Sequence, residues 1–225
     1  AEEPEEQPFE LPIGMIPLYD PISDPDVRDA IRYLMDRGLT EDDLFRWRLH
    51  TTTRGYTRRH VIAPSFDANG GPNYYVARAI DETDFKYRNA RVPKKSIVFN
   101  EIDVDWKDTI ILVEGLFDAI KCPDNTIPLL GSTLPRDGLL FNRLMEHQCD
   151  VIVALDPDLP DKAHRVCKDL EGAGCSVRYC FAPLDRDFGS MEKEEVRKIV
   201  EKAKRYDYNA RINHKINTIR SGSII

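Results

Sequence analysis

The chain has 225 residues, with 32 basic and 39 acidic side chains and a formal net charge of -7. That length is ample for a buried core without disulfide or metal staples, and that charge excludes a simple polybasic nucleic-acid arm. With a mean hydropathy of -0.46 and no run of eighteen apolar residues, nothing reads as a membrane-spanning helix.

The first residue is Ala1 and no charged-then-apolar leader follows, which predicts a processed or excised chain rather than a secreted one. Residues 1–23 are acidic and rich in Pro at the start, the composition of a disordered lead-in or linker. Asp24-Pro25 then opens a helical pattern through Ile31, Leu34 and Met35 to Gly38. Thr40 followed by Asp43 has the form of an N-cap, starting a short helix through Leu44 and Trp47. His60–Phe66 and Asn73–Ile80 read as strands joined by a turn at Asp67–Gly71, with a further strand at Ile97–Asn100.

After Lys107 the rhythm changes. Apolar strands at Thr109–Val113, Thr126–Leu130, Val151–Leu155 and Ser176–Phe181 alternate with helices through Phe117 and Ile120, over Arg136–His147, over Leu159–Glu171 and over Met191–Tyr206. Continuous apolar strands between amphipathic helices predict an α/β fold with a Rossmann-like parallel sheet covered on both faces, here preceded by a mixed α+β subdomain. The expected organisation is a lead-in over 1–23, a basic subdomain over 24–105, the parallel-sheet domain over 106–190, and a C-terminal helix and basic tail over 191–225. The five cysteines, Cys122, Cys149, Cys167, Cys175 and Cys180, form no C-x-x-C pair and read as buried small apolar residues in a reducing cytoplasm. The five histidines have no mutual metal-ligand spacing.

Charge is distributed unevenly. The balance is -10 over residues 1–45, +7 over 46–100, -8 over 101–191 and +4 over 192–225. Aromatic residues, among them Trp47, Tyr56, Tyr74, Tyr75, Phe85 and Tyr87, are interleaved with the basic block. Cations beside aromatic faces suit a single-stranded polynucleotide, with phosphates held by charge and bases stacked on rings. The alternative is a sheet whose solvated face happens to be basic.

Ligands of parallel α/β sheets gather at the carboxyl ends of the strands. There the sequence places Glu114 and Asp118 after the first strand, Asp156 and Asp158 after the third, and Asp185 and Asp187 after the fourth. Such a rim of carboxylates is costly unless divalent cations neutralise it, and hard oxygen donors of this kind suit Mg2+ or Mn2+. The chemistry implied is phosphoryl or nucleotidyl transfer.

The run Ile110-Ile111-Leu112-Val113-Glu114-Gly115, with Ala154-Leu155-Asp156-Pro157-Asp158, resembles the TOPRIM module of topoisomerases and primases. Leu129-Leu130-Gly131-Ser132 resembles the turn after that module's second strand, and Glu114-Gly115-Leu116-Phe117-Asp118 the Glu-Gly-x-x-Asp form of its primase branch. Asp187-Phe188-Gly189-Ser190-Met191 resembles the turn before its last helix, with Phe188 in place of the usual Pro, so that Asp185 and Asp187 both remain candidates. Upstream, Arg59-His60-Val61-Ile62-Ala63-Pro64, Arg78, Lys86-Tyr87-Arg88-Asn89 and Lys94-Lys95 stand in the order of the basic subdomain of DnaG-type primases. Tyr33–Leu39 resembles the helix and turn that enter it.

The resemblance implies a bacteriophage-like primase core lacking its zinc-binding domain, in the cytoplasm of a bacterium or a phage-infected host cell. It implies Glu114, Asp156 and Asp158 as catalytic residues and Glu114, Asp118, Asp156, Asp158, Asp185 and Asp187 as ligands of Mg2+ or Mn2+. Arg59, Arg78, Lys86, Asn89, Lys94 and Lys95 would face nucleotide and template. The implied partners are single-stranded DNA, ribonucleoside triphosphates, a replicative helicase and a separate zinc-binding domain, with no membrane. A TOPRIM nuclease uses the same acids, and a catalytically inactive nucleic-acid-binding module of a replisome is the non-enzymatic alternative. A topoisomerase is excluded by room, because it needs a nucleophilic Tyr in a further large domain.

Overall fold

The computed structural model of the chain describes residues 9–131, 133–157, 160–207, 209, 210 and 212. Ser132, Asp158 and most of the C-terminal tail singled out above lie outside the described residues. Two compact units follow each other, the first ending at Ile102 and the second beginning at Asp103.

The first unit runs β1 (Ile16–Pro17), α1 (Pro25–Asp36), α2 (Glu41–Arg46), β2 (His50–Thr51), β3 (His60–Phe66) and β4 (Pro72–Ala79). The strands form one antiparallel sheet in that order. Helix α1 starts where Asp24 accepts a hydrogen bond from Asp26 N at 2.8 Å, with Pro25 in the first turn, and the chain leaves it through Gly38 at φ +71°. Helix α2 carries the expected capping box: Asp43 N donates to Thr40 Oγ1 while Thr40 N donates to Asp43 Oδ2. The β3–β4 hairpin turns on Asp67, whose Oδ1 accepts from Asn69 N and Gly71 N.

Two segments depart from the sequence expectation. The acidic lead-in does not extend to residue 23. Ile16 and Pro17 pair with Thr51 and His50, and Leu18 is buried, its N–H bonded to Leu49 O at 2.9 Å. Three consecutive apolar residues there outweigh the acidic composition. Ile97–Asn100 is not a strand but a buried irregular segment held by side chains instead of a ladder. Asn73 Nδ2 donates to Val98 O, and Ser65 Oγ accepts from Asn100 N at 2.8 Å while donating to Asn73 Oδ1 at 2.7 Å.

The second unit runs β5 (Ile110–Val113), α3 (Leu116–Lys121), β6 (Thr126–Pro128), α4 (Leu139–Glu146), β7 (Asp150–Leu155), α5 (Pro160–Gly172), β8 (Ser176–Phe181), α6 (Lys193–Glu201) and β9 (Lys204–Arg205). Its sheet has the order β6-β5-β7-β8-β9, parallel throughout except for β9. All four residues of β5 and Val151–Leu155 of β7 are buried, as expected of central strands covered on both faces. The last helix ends at Glu201 rather than at Tyr206. The chain turns back so that β9 covers the β8 edge, Tyr206 N donates to Val177 O, and the Tyr206 ring packs against Tyr179 and His164. All five cysteines are free, four of them buried, and burial pushes the Cys149 and Cys167 thiols up to about 11 and about 12, keeping both protonated.

Ser65→Ala should destabilise the chain by roughly 1–3 kcal/mol, because it leaves the buried Asn100 N–H without an acceptor. A urea denaturation midpoint indistinguishable from the parent's would show that Ser65 does not anchor the 97–100 segment.

Candidate active site

Glu114 and Asp156 leave neighbouring strands on the same edge of the second unit's sheet. Leu112 pairs with Val153, so the two carboxylates follow the ends of β5 and β7 within a residue or two of each other's level. Both are half-buried, and the Oδ1 of Asp156 is withdrawn from solvent. The backbone beside Glu114 is fixed from β6, with Leu129 N bonded to Val113 O and Gly131 N to Glu114 O.

Asp118 organises the rest. It stands one turn into α3, where its Oδ2 accepts from Gly115 N at 2.9 Å. Its Oδ1 accepts from Gly189 N, also at 2.9 Å, across 71 residues of chain. Gly189 belongs to a short 3-10 turn over Phe188–Ser190 that begins at Asp187. A Cβ on Gly189 would lie 2.9 Å from Asp118 Oδ1 and 3.3 Å from the Phe117 backbone carbonyl carbon, so this close approach requires glycine. Burial pushes the Asp118 carboxyl up to about 6. The Asp187 and Glu114 charges push the same way, against the pull of the two backbone donors. Glu114 and Asp187 thus both act on the Asp118 carboxyl, and carboxylate oxygens are the hard donors that suit a divalent cation. Among the described residues no group of three or more His, Cys, Asp or Glu is drawn up as a metal site.

Of the six acids expected at this rim, Glu114 and Asp187 each act on the Asp118 carboxyl, and Asp156 follows the strand next to the one that delivers Glu114. Asp158 lies outside the described residues. Asp185 is exposed next to Arg186, whose guanidinium is engaged by Glu195 at 2.6 and 3.0 Å. The geometry thus favours Asp187 over Asp185, a choice the sequence left open.

In the first unit two of the expected nucleotide contacts, Arg59 and Asn89, make hydrogen bonds within the fold. The Arg59 guanidinium is shared by Asp81 at 2.6 and 2.7 Å, Asp26 at 2.8 Å and Asp29 at 3.0 Å. Arg58 adds a second bond to Asp26, holding that buried carboxyl below its usual range. These arginines tie the strand entry to the acidic face of α1. The Oδ1 of Asn89 accepts from Ala77 N at 3.1 Å, in the place a strand carbonyl would take. It completes a run in which Ala79 N bonds to Lys86 O, Arg88 N to Ala77 O and Ala90 N to Tyr75 O.

Arg78 does face a recess. Its Nε donates to Tyr33 Oη at 2.8 Å, its Nη1 donates to Tyr87 Oη at 2.5 Å, and its guanidinium lies 5.1 Å from the Tyr87 ring centroid. The pocket around it, of about 730 Å3, is of mixed charge, lined by Arg37, Arg78 and Lys86 together with Asp81, Glu82 and Asp84, beside Tyr33. Lys86 is exposed there, and Lys94 and Lys95 are exposed on a short 3-10 turn. Tyr33, Arg37 and Gly189 were not singled out from sequence as site residues. The only signal was Tyr33 at the head of the helix entry and Gly189 within the turn motif.

An open antiparallel unit followed by a parallel sheet with acids at its strand ends defines a TOPRIM-type α/β protein. No protein-family model matches the chain. A DNA primase of Clostridium acetobutylicum is 26% identical over 179 residues, covering 72% of this chain; the chain spans 30% of that relative's length. Among solved structures, a DnaG primase catalytic domain bound to single-stranded DNA superposes with a TM-score of 0.67 at 18% identity, covering 81% of this chain and 76% of that one. The Aquifex aeolicus primase, comprising zinc-binding and RNA polymerase domains, gives 0.68 at 18% identity, over 82% of this chain and 57% of the other. The E. coli primase catalytic core gives 0.64 at 18% identity, over 81% and 75%. The chain has the TOPRIM-containing fold of the DnaG-type primase catalytic core.

In EDTA-treated protein, stability should fall as pH rises from about 4 to about 6. The Asp118 carboxyl has an ordinary value of 3.8 and a folded value of about 6, so across that window the folded state holds the extra proton. Asp118→Asn should lower the overall level, because its amide N–H2 meets a backbone N–H, and should remove this part of the slope. Parallel pH profiles for variant and parent in urea denaturation would refute the assignment.

Proposed function

We propose that this chain is the catalytic core of a DNA primase, joining ribonucleotides into short RNA primers on single-stranded DNA by metal-dependent nucleotidyl transfer. The observation that carries the reading is the place of Glu114 and Asp156 after neighbouring parallel strands, with Asp118 hydrogen-bonded to the turn that begins at Asp187, on a chain with the fold of primase cores. The primase name of the sequence relative and the single-stranded DNA in one structural neighbour support the substrate class.

Mg2+ or Mn2+ held by Glu114, Asp156 and Asp187 would stabilise the attacking and leaving oxygens of the transfer, and the sequence motif adds Asp158 to the donors. Asp118 acts mainly by position, since both of its oxygens hold backbone N–H groups that set Asp187 beside α3. Glu114 accepts the proton of the attacking 3′-hydroxyl. Such a reaction leaves the protein little covalent work, so alignment and charge neutralisation dominate. Arg78 and Lys86, and on the following turn Lys94 and Lys95, supply the cations that hold nucleotide and template phosphates. Arg59 and Asn89 hold the scaffold that presents them. A replicative helicase and a zinc-binding domain complete the assembly in this reading.

Incubation of the chain with single-stranded DNA, ribonucleoside triphosphates and Mg2+ or Mn2+ should yield new RNA and leave the DNA intact. Loss of DNA length without RNA synthesis would identify a nuclease instead. Asp156→Asn should reduce primer synthesis at least a hundredfold with little change in thermal midpoint, because removing one charge from an acidic rim relieves repulsion. Full synthesis by Asp156→Asn at ordinary Mg2+ would remove Asp156 from the site.

Lys86→Ala and Arg78→Ala should each weaken single-stranded DNA binding evenly across sequences and flatten the logarithmic salt dependence by about one unit of slope. Wild-type affinity and slope in both would make the Arg78 pocket a solvated face rather than a strand contact.

A further inference from the structure

The segment beside β4 carries two arginine–tyrosine stacks, back to back. The β3–β4 register is unbroken from His60↔Ala79 to Ser65↔Tyr74, so Arg78 and Tyr75, three residues apart, project from opposite faces of the sheet. Tyr87 bridges to Arg78 on one face, beside the pocket described above. The next residue, Arg88, stacks with its guanidinium carbon 4.3 Å from the Tyr56 ring centroid, and its Nη1 donates to Tyr56 O.

Tyr56 is 63% exposed, in the loop between β2 and β3. The bond from Ala90 N to Tyr75 O places exposed Arg91 next to half-buried Tyr75, whose ring also lies 6.1 Å from Phe9. Arg54, likewise exposed, precedes Tyr56 by two residues in the same loop. The Tyr75 hydroxyl senses both Tyr56 and Arg91, as neighbours in one patch must.

We propose that Tyr56, Tyr75, Arg88 and Arg91 form a second contact for single-stranded nucleic acid, on the opposite sheet face from the Arg78 pocket. This rests on the reading of the first unit as the strand-handling part of the chain. A guanidinium stacked flat on a tyrosine keeps its N–H edges turned outward for phosphate, while exposed aromatic rings offer faces to unstacked bases. The occupant is a single strand because the bases of a duplex are already stacked on each other. The contact is sequence-tolerant in this reading, since every base has a face to stack and the arginines are directed at phosphates. Two contacts on opposite faces would hold a strand that wraps the sheet edge at residues 86–90.

The test uses the full chain in EDTA, so that binding is read without metal-dependent chemistry. An oligothymidylate containing 5-bromodeoxyuridine should crosslink under ultraviolet light to Tyr56 or Tyr75. Tyr56→Leu and Arg91→Ala should each weaken oligothymidylate binding about tenfold, and Tyr56→Phe, which keeps the ring, should stay within twofold of the parent. Both exposed positions can change without touching the core, and unchanged thermal midpoints verify this. No crosslink in these segments together with parental affinity in both variants would overturn the proposal. So would tighter binding of an acidic polyglutamate peptide than of the oligonucleotide, lost in the same variants, since that would mark a protein-docking surface. Primer synthesis by the parent is scored separately with Mg2+, so a failed activity and a failed contact are told apart.

Discussion

A carboxylate taken out of water must be compensated, and in the second unit Asp118 accepts hydrogen bonds from two backbone N–H groups. Much of the local structure follows from that choice. One donor is the helix start at Gly115, immediately after Glu114; the other is Gly189, in the turn that begins at Asp187. A single side chain therefore fixes two acidic loops that are far apart in sequence, and both donors come from glycines because the approach leaves no room at Gly189 and little at Gly115 for a Cβ. The carboxyl remains near 6 because two backbone donors do not fully offset burial and the Asp187 and Glu114 charges. Repulsion among these groups is held in check by covalent geometry, which leaves a concentration of negative charge that a divalent cation would relieve.

The parallel sheet was legible because its strands are continuous apolar runs, and burial on both faces demands such runs. Helix starts at Asp24 and Thr40 were legible because a cap is a local, side-chain event. What sequence misplaced was non-local. Strand β1 depends on a partner strand far along the chain, Ile16 pairing with Thr51 and Pro17 with His50, and the 97–100 segment is irregular because Ser65 and Asn73 supply its hydrogen bonds. The final helix stops early because the β8 edge needs covering, a requirement invisible in residues 191–206 alone.

The acidic rim was likewise readable as spacing, Glu114 to Asp118 and the acids after each strand. Spacing could not say that Asp187 rather than Asp185 meets Asp118, since that depends on the path of the turn. Nor could residue type separate Arg59 from Arg78. Both are arginines at ends of the same hairpin, yet Arg59 meets three carboxylates where Arg78 meets two tyrosine hydroxyls. A guanidinium between carboxylates is neutralised in place, whereas a phenol hydroxyl brings no opposing charge of its own.

That difference changes what the +7 balance over residues 46–100 means. Arg58 and Arg59 answer the acids of α1, so part of the basic block is internal neutralisation between two halves of one unit. The charge left for an external partner is concentrated where aromatic rings accompany it, at Arg78 with Tyr87 and at Arg88 with Tyr56. An arginine held against a ring loses little further conformational freedom when a phosphate arrives, and the ring stays available to a base. A flexible lysine on a solvated face offers the same charge without that preorganisation. The pairing of half-buried Arg78 and Arg88 with tyrosines, rather than the count of positive residues, is therefore the feature of this unit that points to a single strand.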